Sequence, residues 1–182
     1  ALSAEQGGAL DPMGSMSVTG AVTANGALTV GGTAEPNAVT FFNGVTAGSI
    51  AIDTTGDLRV LAGNLVATAG VVDVDALSIT AGAVSAAGGD VTLLATNDIA
   101  TGSVASTGAI DVDSTNGGNL TLGALNAGLG ITADTLGNIT TGSIVAGGAL
   151  SIGGTLEPDA VTITGSVAAL AITIDALGDL VA

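Results

Sequence analysis

The sequence predicts an all-β fold: a right-handed parallel β-helix (β-solenoid) of about eight coils, each of roughly 20 residues and three short strands. Three observations predict it. A phrase of Gly, an apolar residue within two positions and a small residue begins at Gly20, Gly44, Gly63, Gly82, Gly102, Gly123, Gly142 and Gly165, at intervals of 24, 19, 19, 20, 21, 19 and 23 residues. The segments between these glycines alternate apolar and polar residues over four or five positions, which is the strand period and not the helical one. Aromatic residues make up 1 % of the chain, so the interior must be narrow and aliphatic.

The coil from Gly63 shows the three runs. Asn64-Leu65-Val66-Ala67 comes first, Val71-Val72-Asp73-Val74-Asp75 second, and Ala76-Leu77-Ser78-Ile79-Thr80 third. Stacking the coils places Val22, Val45, Leu65, Val84, Val104, Leu125, Ile144 and Val167 in one inward column. Two residues on, the column is Ala24, Ala47, Ala67, Ala86, Ser106, Ala127, Ala146 and Ala169. A branched residue beside a small one fits a thin core next to a tight corner. The second run supplies Leu28/Val30, Ile50/Ile52, Val72/Val74, Ile110/Val112 and Leu150/Ile152. The third supplies Val39/Phe41, Leu58/Val60, Leu77/Ile79, Leu120/Leu122 and Val161/Ile163. A single coil cannot bury its apolar side, so each depends on its neighbours.

A longer period lies above the short one. The stretch from Gly26 to Thr40 matches that from Gly148 to Thr162 at an offset of 122 residues, or six coils. Both carry a Glu-Pro insertion, Glu35-Pro36 and Glu157-Pro158. Proline has no amide donor and belongs in a corner. Residues 1–17 do not fit the coil phrase and read as an N-terminal partial coil, cap or linker. Residues 18–182 read as the solenoid, expected to be a fragment of a longer array because Leu180-Val181-Ala182 is apolar and uncapped.

Composition removes several function classes. One basic residue, Arg59, stands against 16 acidic ones, a formal charge of −15, so nucleic acid and anionic membrane surfaces are not expected as partners. No apolar run approaches 18 residues, so no membrane insertion is expected. The sequence contains no Cys, His or Lys, which removes triads, Schiff bases and imidazole or thiolate metal sites. Absence of Cys suits a chain that stays unfolded during export; an export signal would lie outside this segment. Carboxylates remain as catalytic groups, but they are spread along the rod and no aromatic sugar platform accompanies them. The chain is therefore not expected to be an enzyme.

Asp73-Val74-Asp75 and Asp111-Val112-Asp113 point Val inward and carboxylates outward. Asp53, Asp75, Asp113 and Asp175 share one coil position, just after the second run. Carboxylates stacked about 4.8 Å apart repel, and a hard cation such as Ca²⁺ would relieve the repulsion. Asp53, Asp73, Asp75, Asp111 and Asp113 are thus candidate calcium ligands. The favoured reading is a solvated acidic face that keeps the rod soluble, with no cofactor. A polar column of Asp57, Asp98, Asn119, Asn138 and Asp179 could form amide ladders. Outward Thr40, Thr121, Thr140 and Thr162 suggest an ice-binding rank, but Arg59, Ser78 and Ala100 interrupt it. Arg59 is expected to pair with a nearby Asp, Phe41 to point inward, and Phe42 to sit at a turn.

Two stretches, Gly118-Asn119-Leu120-Thr121-Leu122-Gly123-Ala124-Leu125-Asn126-Ala127 and Gly148-Ala149-Leu150-Ser151-Ile152-Gly153-Gly154, resemble filamentous-haemagglutinin-like large exoproteins, and the repeat style extends over residues 18–182. The resemblance implies a β-helical shaft secreted to the extracellular cell surface of a Gram-negative bacterium, where it displays adhesive or toxic modules. The Asn-Pro-Asn-Gly-type motif of that family's secretion domain is not in the sequence, so two-partner secretion and autotransporter export both stay open. The expected role is a structural and adhesive shaft mediating adhesion or cell–cell and biofilm contact. Its expected partners are further coils or identical subunits end to end, and a host or bacterial surface receptor or glycan. The alternative is a subunit of a self-assembling extracellular filament or surface layer, with or without calcium.

Overall fold

A computed structural model describes residues 2–182, and the described residues form 27 short strands. The strands fall into three parallel sheets of nine, and each sheet takes every third strand in chain order. The result is a β-solenoid of nine coils with about 20 residues per turn. Coils 1 to 9 begin at Leu2, Val22, Val45, Leu65, Val84, Val104, Leu125, Ile144 and Val167. At the usual spacing of about 4.8 Å between strands the stack is roughly 40 Å long.

The register follows the alternation. In the first sheet Leu65 stands opposite Val45 and Val84, and Ala67 opposite Ala47 and Ala86. In the second sheet Val72 and Val74 lie between Ile50/Ile52 and Val91/Leu93. In the third, Leu58 joins Val39 to Ile79. All these side chains are buried and form one continuous thread of Val, Leu, Ile and Ala. Phe41, fully buried in coil 2, fills the wider coil, and Phe42 turns outward. Backbone N–H groups at the corners also bond between coils, as in Gly48 N–H to Gly26 O at 2.8 Å and Gly147 N–H to Ala127 O at 2.9 Å. Corners are therefore satisfied without leaving the stack.

Two expectations are corrected. Residues 2–17 carry regular coil structure. They supply Leu2–Ala4, Gly8–Leu10 and nearly all of Met16–Val18, which pair with coil 2 in all three sheets, so nine coils replace the expected eight. Ala1 lies outside the described residues. The alternation hides the shift because Gly7 and Gly8 occupy places where later coils carry a corner and an inward aliphatic.

The third run of coil 4 is also displaced. Its inward pair is Ile79/Ala81, not Leu77/Ile79. The second strand runs on to Ala76, which is buried, and the chain then bends at Leu77-Ser78. A corner inverts the in/out parity of the chain, and Leu77 faces solvent while its N–H bonds Gly56 O at 2.9 Å.

The inward columns carry the stability. Leu120→Ala removes a fully buried side chain and is expected to cost about 3 kcal/mol, whereas Thr121→Ala, on the outward side of the same strand, should shift stability by less than about 0.5 kcal/mol. Urea unfolding followed by circular dichroism measures both; equal losses would contradict the assigned faces.

Candidate functional site

The acidic face is the outer surface of the second sheet. Its ladder aligns Val30 with Ile52, Asp53 with Asp75, Asp75 with Leu94, Leu94 with Asp113, and Asp113 with Asp134. Followed along the rod, the position reads Asp11, Gly31, Asp53, Asp75, Leu94, Asp113, Asp134, Gly153, Asp175. The sequence pattern groups Asp53, Asp75, Asp113 and Asp175, and the structure keeps them in one column. It adds Asp11 and Asp134, which the glycine-phrase count misses. Asp73 and Asp111 belong to the neighbouring outward column, with Ala51, Thr92 and Thr132 between or beside them. The face is thus two stacked pairs of carboxylates, Asp53/Asp75 and Asp113/Asp134, separated by Leu94.

Two glycines interrupt the column for a steric reason. Gly31 and Gly153 have φ of +82° and +65°, and a Cβ on either would run into the carbonyl oxygen of the next coil, Asp53 or Asp175. Here the chain leaves the ladder and makes the projecting corners that end at Pro36 and Pro158. A carboxylate one coil earlier holds each corner: Asp11 accepts from Ala34 N–H at 2.9 Å, and Asp134 from Thr155 N–H at 3.3 Å.

Stacking carboxylates beside burying corners shifts their protonation. Burial chiefly, with Asp53 and then Asp73 adding repulsion, raises Asp75 above its ordinary value. Burial followed by Asp134 raises Asp111. Asp113 is pushed up to about 6 by burial and by the charges of Asp111 and Asp134, against an opposing hydrogen bond from the Asp134 backbone. Asp113 and Asp134, with Thr115, Thr155 and Leu156, line a cleft of about 350 Å³ beneath the coil 8 corner. A second cleft, about 360 Å³, lies along Asp53, Asp73 and Asp75 beside the Gly31-Gly32 corner. Among the described residues no group of three or more carboxylates converges as a metal cage.

Other surface features are structural. Asp98, Asn119 and Asn138 form the expected corner ladder: Asn119 N–H donates to Asp98 Oδ1 at 2.7 Å, and Asn138 N–H and Nδ2–H donate to Asn119 Oδ1 at 3.0 and 3.1 Å. Asp57 stands apart from that ladder and pairs with Arg59 at 2.9 Å, an exposed contact of small energetic weight. In the threonine column the register puts Thr80, not Ser78, between Arg59 and Ala100, and Arg59 and Ala100 still break the rank.

A device the strand reading misses is the buried corner hydroxyl. Thr54, Ser106 and Thr135 donate to the carbonyls of Pro36, Gly89 and Gly118 on the preceding coil at 2.6, 2.6 and 2.5 Å. Each also accepts the N–H of a glycine two residues on. The signal is Ser or Thr, any residue, then Gly, as in Thr54-Thr55-Gly56, Ser106-Thr107-Gly108 and Thr135-Leu136-Gly137.

No helix of the described residues is long and apolar enough to cross a membrane. Comparison with models of known protein families, with curated proteins and with solved structures gives no match.

The raised protonation points set a pH dependence. A carboxyl whose folded value lies above its unfolded one disfavours folding once ionised, so its cost is absent below about pH 4 and fully present above about 6. Asp75 and Asp111 act in the same direction. The melting midpoint should fall as pH rises from 5 to 7.5. Asp113→Asn should flatten that fall and stabilise the protein at pH 7.5 by on the order of 1 kcal/mol, after discounting for the solvent-facing half of the side chain. A melting midpoint that climbs over this interval would contradict the assignment.

Proposed function

We propose that the chain is a shaft segment of a secreted bacterial exoprotein, which stands on the outer surface of a Gram-negative cell and mediates adhesion or cell–cell and biofilm contact. The observation that carries this reading is the uninterrupted run of three nine-strand parallel ladders around one aliphatic thread. Each coil bonds to the next along its strands and corners, which gives a rod that resists bending and stretching. The filamentous-haemagglutinin-like phrases at Gly118–Ala127 and Gly148–Gly154 point the same way. So does the charge of −15, which keeps an aliphatic-rich rod soluble outside the cell. The role is mechanical and not enzymatic: without His, Cys or Lys, chemistry would fall to the carboxylates of the second sheet, which are ranked in pairs along an open face. A surface receptor or glycan would meet the coil faces.

A second reading rests on the regularity of the stack: each coil joins the next through the same three parallel ladders, so opposite ends of identical subunits could pair head to tail in an extracellular filament or layer.

Antibodies raised against residues 18–182 should label intact, unpermeabilised cells and reduce their aggregation. Labelling that appears only after permeabilisation rejects the shaft reading. Negative-stain microscopy of the purified chain separates the two readings, because rods of roughly 40 Å favour the shaft and long polymers favour the self-assembling subunit.

A further inference from the structure

We propose that Asp113 and Asp134 hold a calcium ion in the cleft beneath the projecting corner of coil 8. Three buried side-chain oxygens lack a hydrogen-bond partner among the described residues: Thr101 Oγ1, Asp113 Oδ1 and Asp134 Oδ1. Two of the three belong to this one cleft. Asp134 is the more telling, since it is 9 % exposed. Its Oδ2 accepts from Thr155 N–H, while its Oδ1 is closed off from solvent without a donor. Buried carboxylate oxygens normally find a donor or a cation. These two residues stand opposite each other in the ladder, about 4.8 Å apart along the rod, and the chain has one basic side chain, Arg59, which is engaged elsewhere.

The comparison within the molecule sharpens the assignment. Asp53 and Asp75 stack in the same way and line their own cleft, yet neither carries a buried oxygen without a partner. Asp11 anchors the coil 2 corner as Asp134 anchors that of coil 8, but with a shorter bond, and it too has no such oxygen. The combination of a stacked carboxylate pair, a covering corner and two orphaned oxygens occurs at Asp113/Asp134. Of the candidates from sequence, Asp113 is retained; Asp53, Asp73, Asp75 and Asp111 are not ligands of this site.

The donor set selects the ion. The polar residues lining the cleft, Asp113, Asp134, Thr115 and Thr155, offer only oxygen as a side-chain donor, which suits a hard cation. The corner is irregular and the carboxylates are fixed by the ladder, a geometry that the larger, flexible coordination sphere of Ca²⁺ tolerates better than the near-ideal octahedron Mg²⁺ demands. With two carboxylates the affinity should fall in the weak class of extracellular modules, a dissociation constant of roughly 10⁻⁴–10⁻³ M.

The test is calorimetric titration of the whole chain with CaCl₂ at pH 7.5, alongside melting in 5 mM CaCl₂ or in MgCl₂ at equal ionic strength. The wild type should bind one Ca²⁺ per chain and melt higher in calcium than in magnesium. Asp113→Asn should weaken binding at least about tenfold and abolish the calcium-specific shift, while Asp75→Asn retains both. Asp134→Asn should behave as Asp113→Asn does; if loss of the Thr155 bond unfolds it, Asp113→Asn decides alone. The proposal is overturned by equal stabilisation in magnesium, which would mean general screening of the −15 charge, or by calcium binding that survives Asp113→Asn or is lost in Asp75→Asn.

Discussion

Backbone hydrogen bonding between successive coils is the constraint on which everything else rests. The ladder is in register, so every residue stacks on its own equivalent about 4.8 Å away, coil after coil. An inward position is then apolar in most coils, and the polar residues that do stand there, Thr101, Ser106, Ser114 and Thr141, are small. This accounts for Val, Leu and Ile at the first position of the first sheet and Ala at the second. The exception, Ser106 in the alanine column, is tolerated because its hydroxyl donates to Gly89 O and accepts from Gly108 N–H. An outward position carries the opposite consequence: whatever charge it bears is repeated against itself.

That repetition gives the acidic face its character. On an ordinary surface, carboxylates spread apart. Here the ladder fixes them in file, and the projecting corners of coils 2 and 8 shield part of the file from water. Desolvation leads the shift at Asp75, Asp111 and Asp113, and neighbouring charges add to it. Leu94 divides the file into two pairs, limiting each carboxylate to one close partner within the column. Asparagine solves the same problem differently: the Asn119 side chain donates to Asp98 and accepts from Asn138 at once, and stacking becomes attraction.

The coil length, the three runs, the first inward column of coils 2 to 9 and most of the second- and third-run pairs of coils 2, 3, 4, 6 and 8 were legible in the sequence, since they depend on period and polarity alone. Corners were less so. At Leu77 the alternation continues across a bend that reverses in and out, and periodicity cannot register a reversal that costs no residue. Coil 1 escaped because Gly8 fills an inward place with no side chain and Met16 stands where other coils have a β-branched residue or leucine. Asp134 was passed over for a related reason: its coil has Ala133 at the inward position before it, which weakens the strand pattern that would have aligned it with Asp113. The orphaned oxygens were beyond the sequence altogether, because they depend on how the Gly153–Pro158 corner folds back over the neighbouring coil.

The six-coil period has a genetic consequence. Coil 7 repeats coil 1 at its anchoring Asp, and coil 8 repeats coil 2 at its glycine and proline corner, so each six-coil block ends as it began. Recombination that removed or duplicated one block would join two coils whose contact already exists elsewhere in the rod. No new interface would need to evolve, and the rod would change by about 29 Å per event. A molecule built this way can vary its reach in fixed increments while its cross-section stays constant.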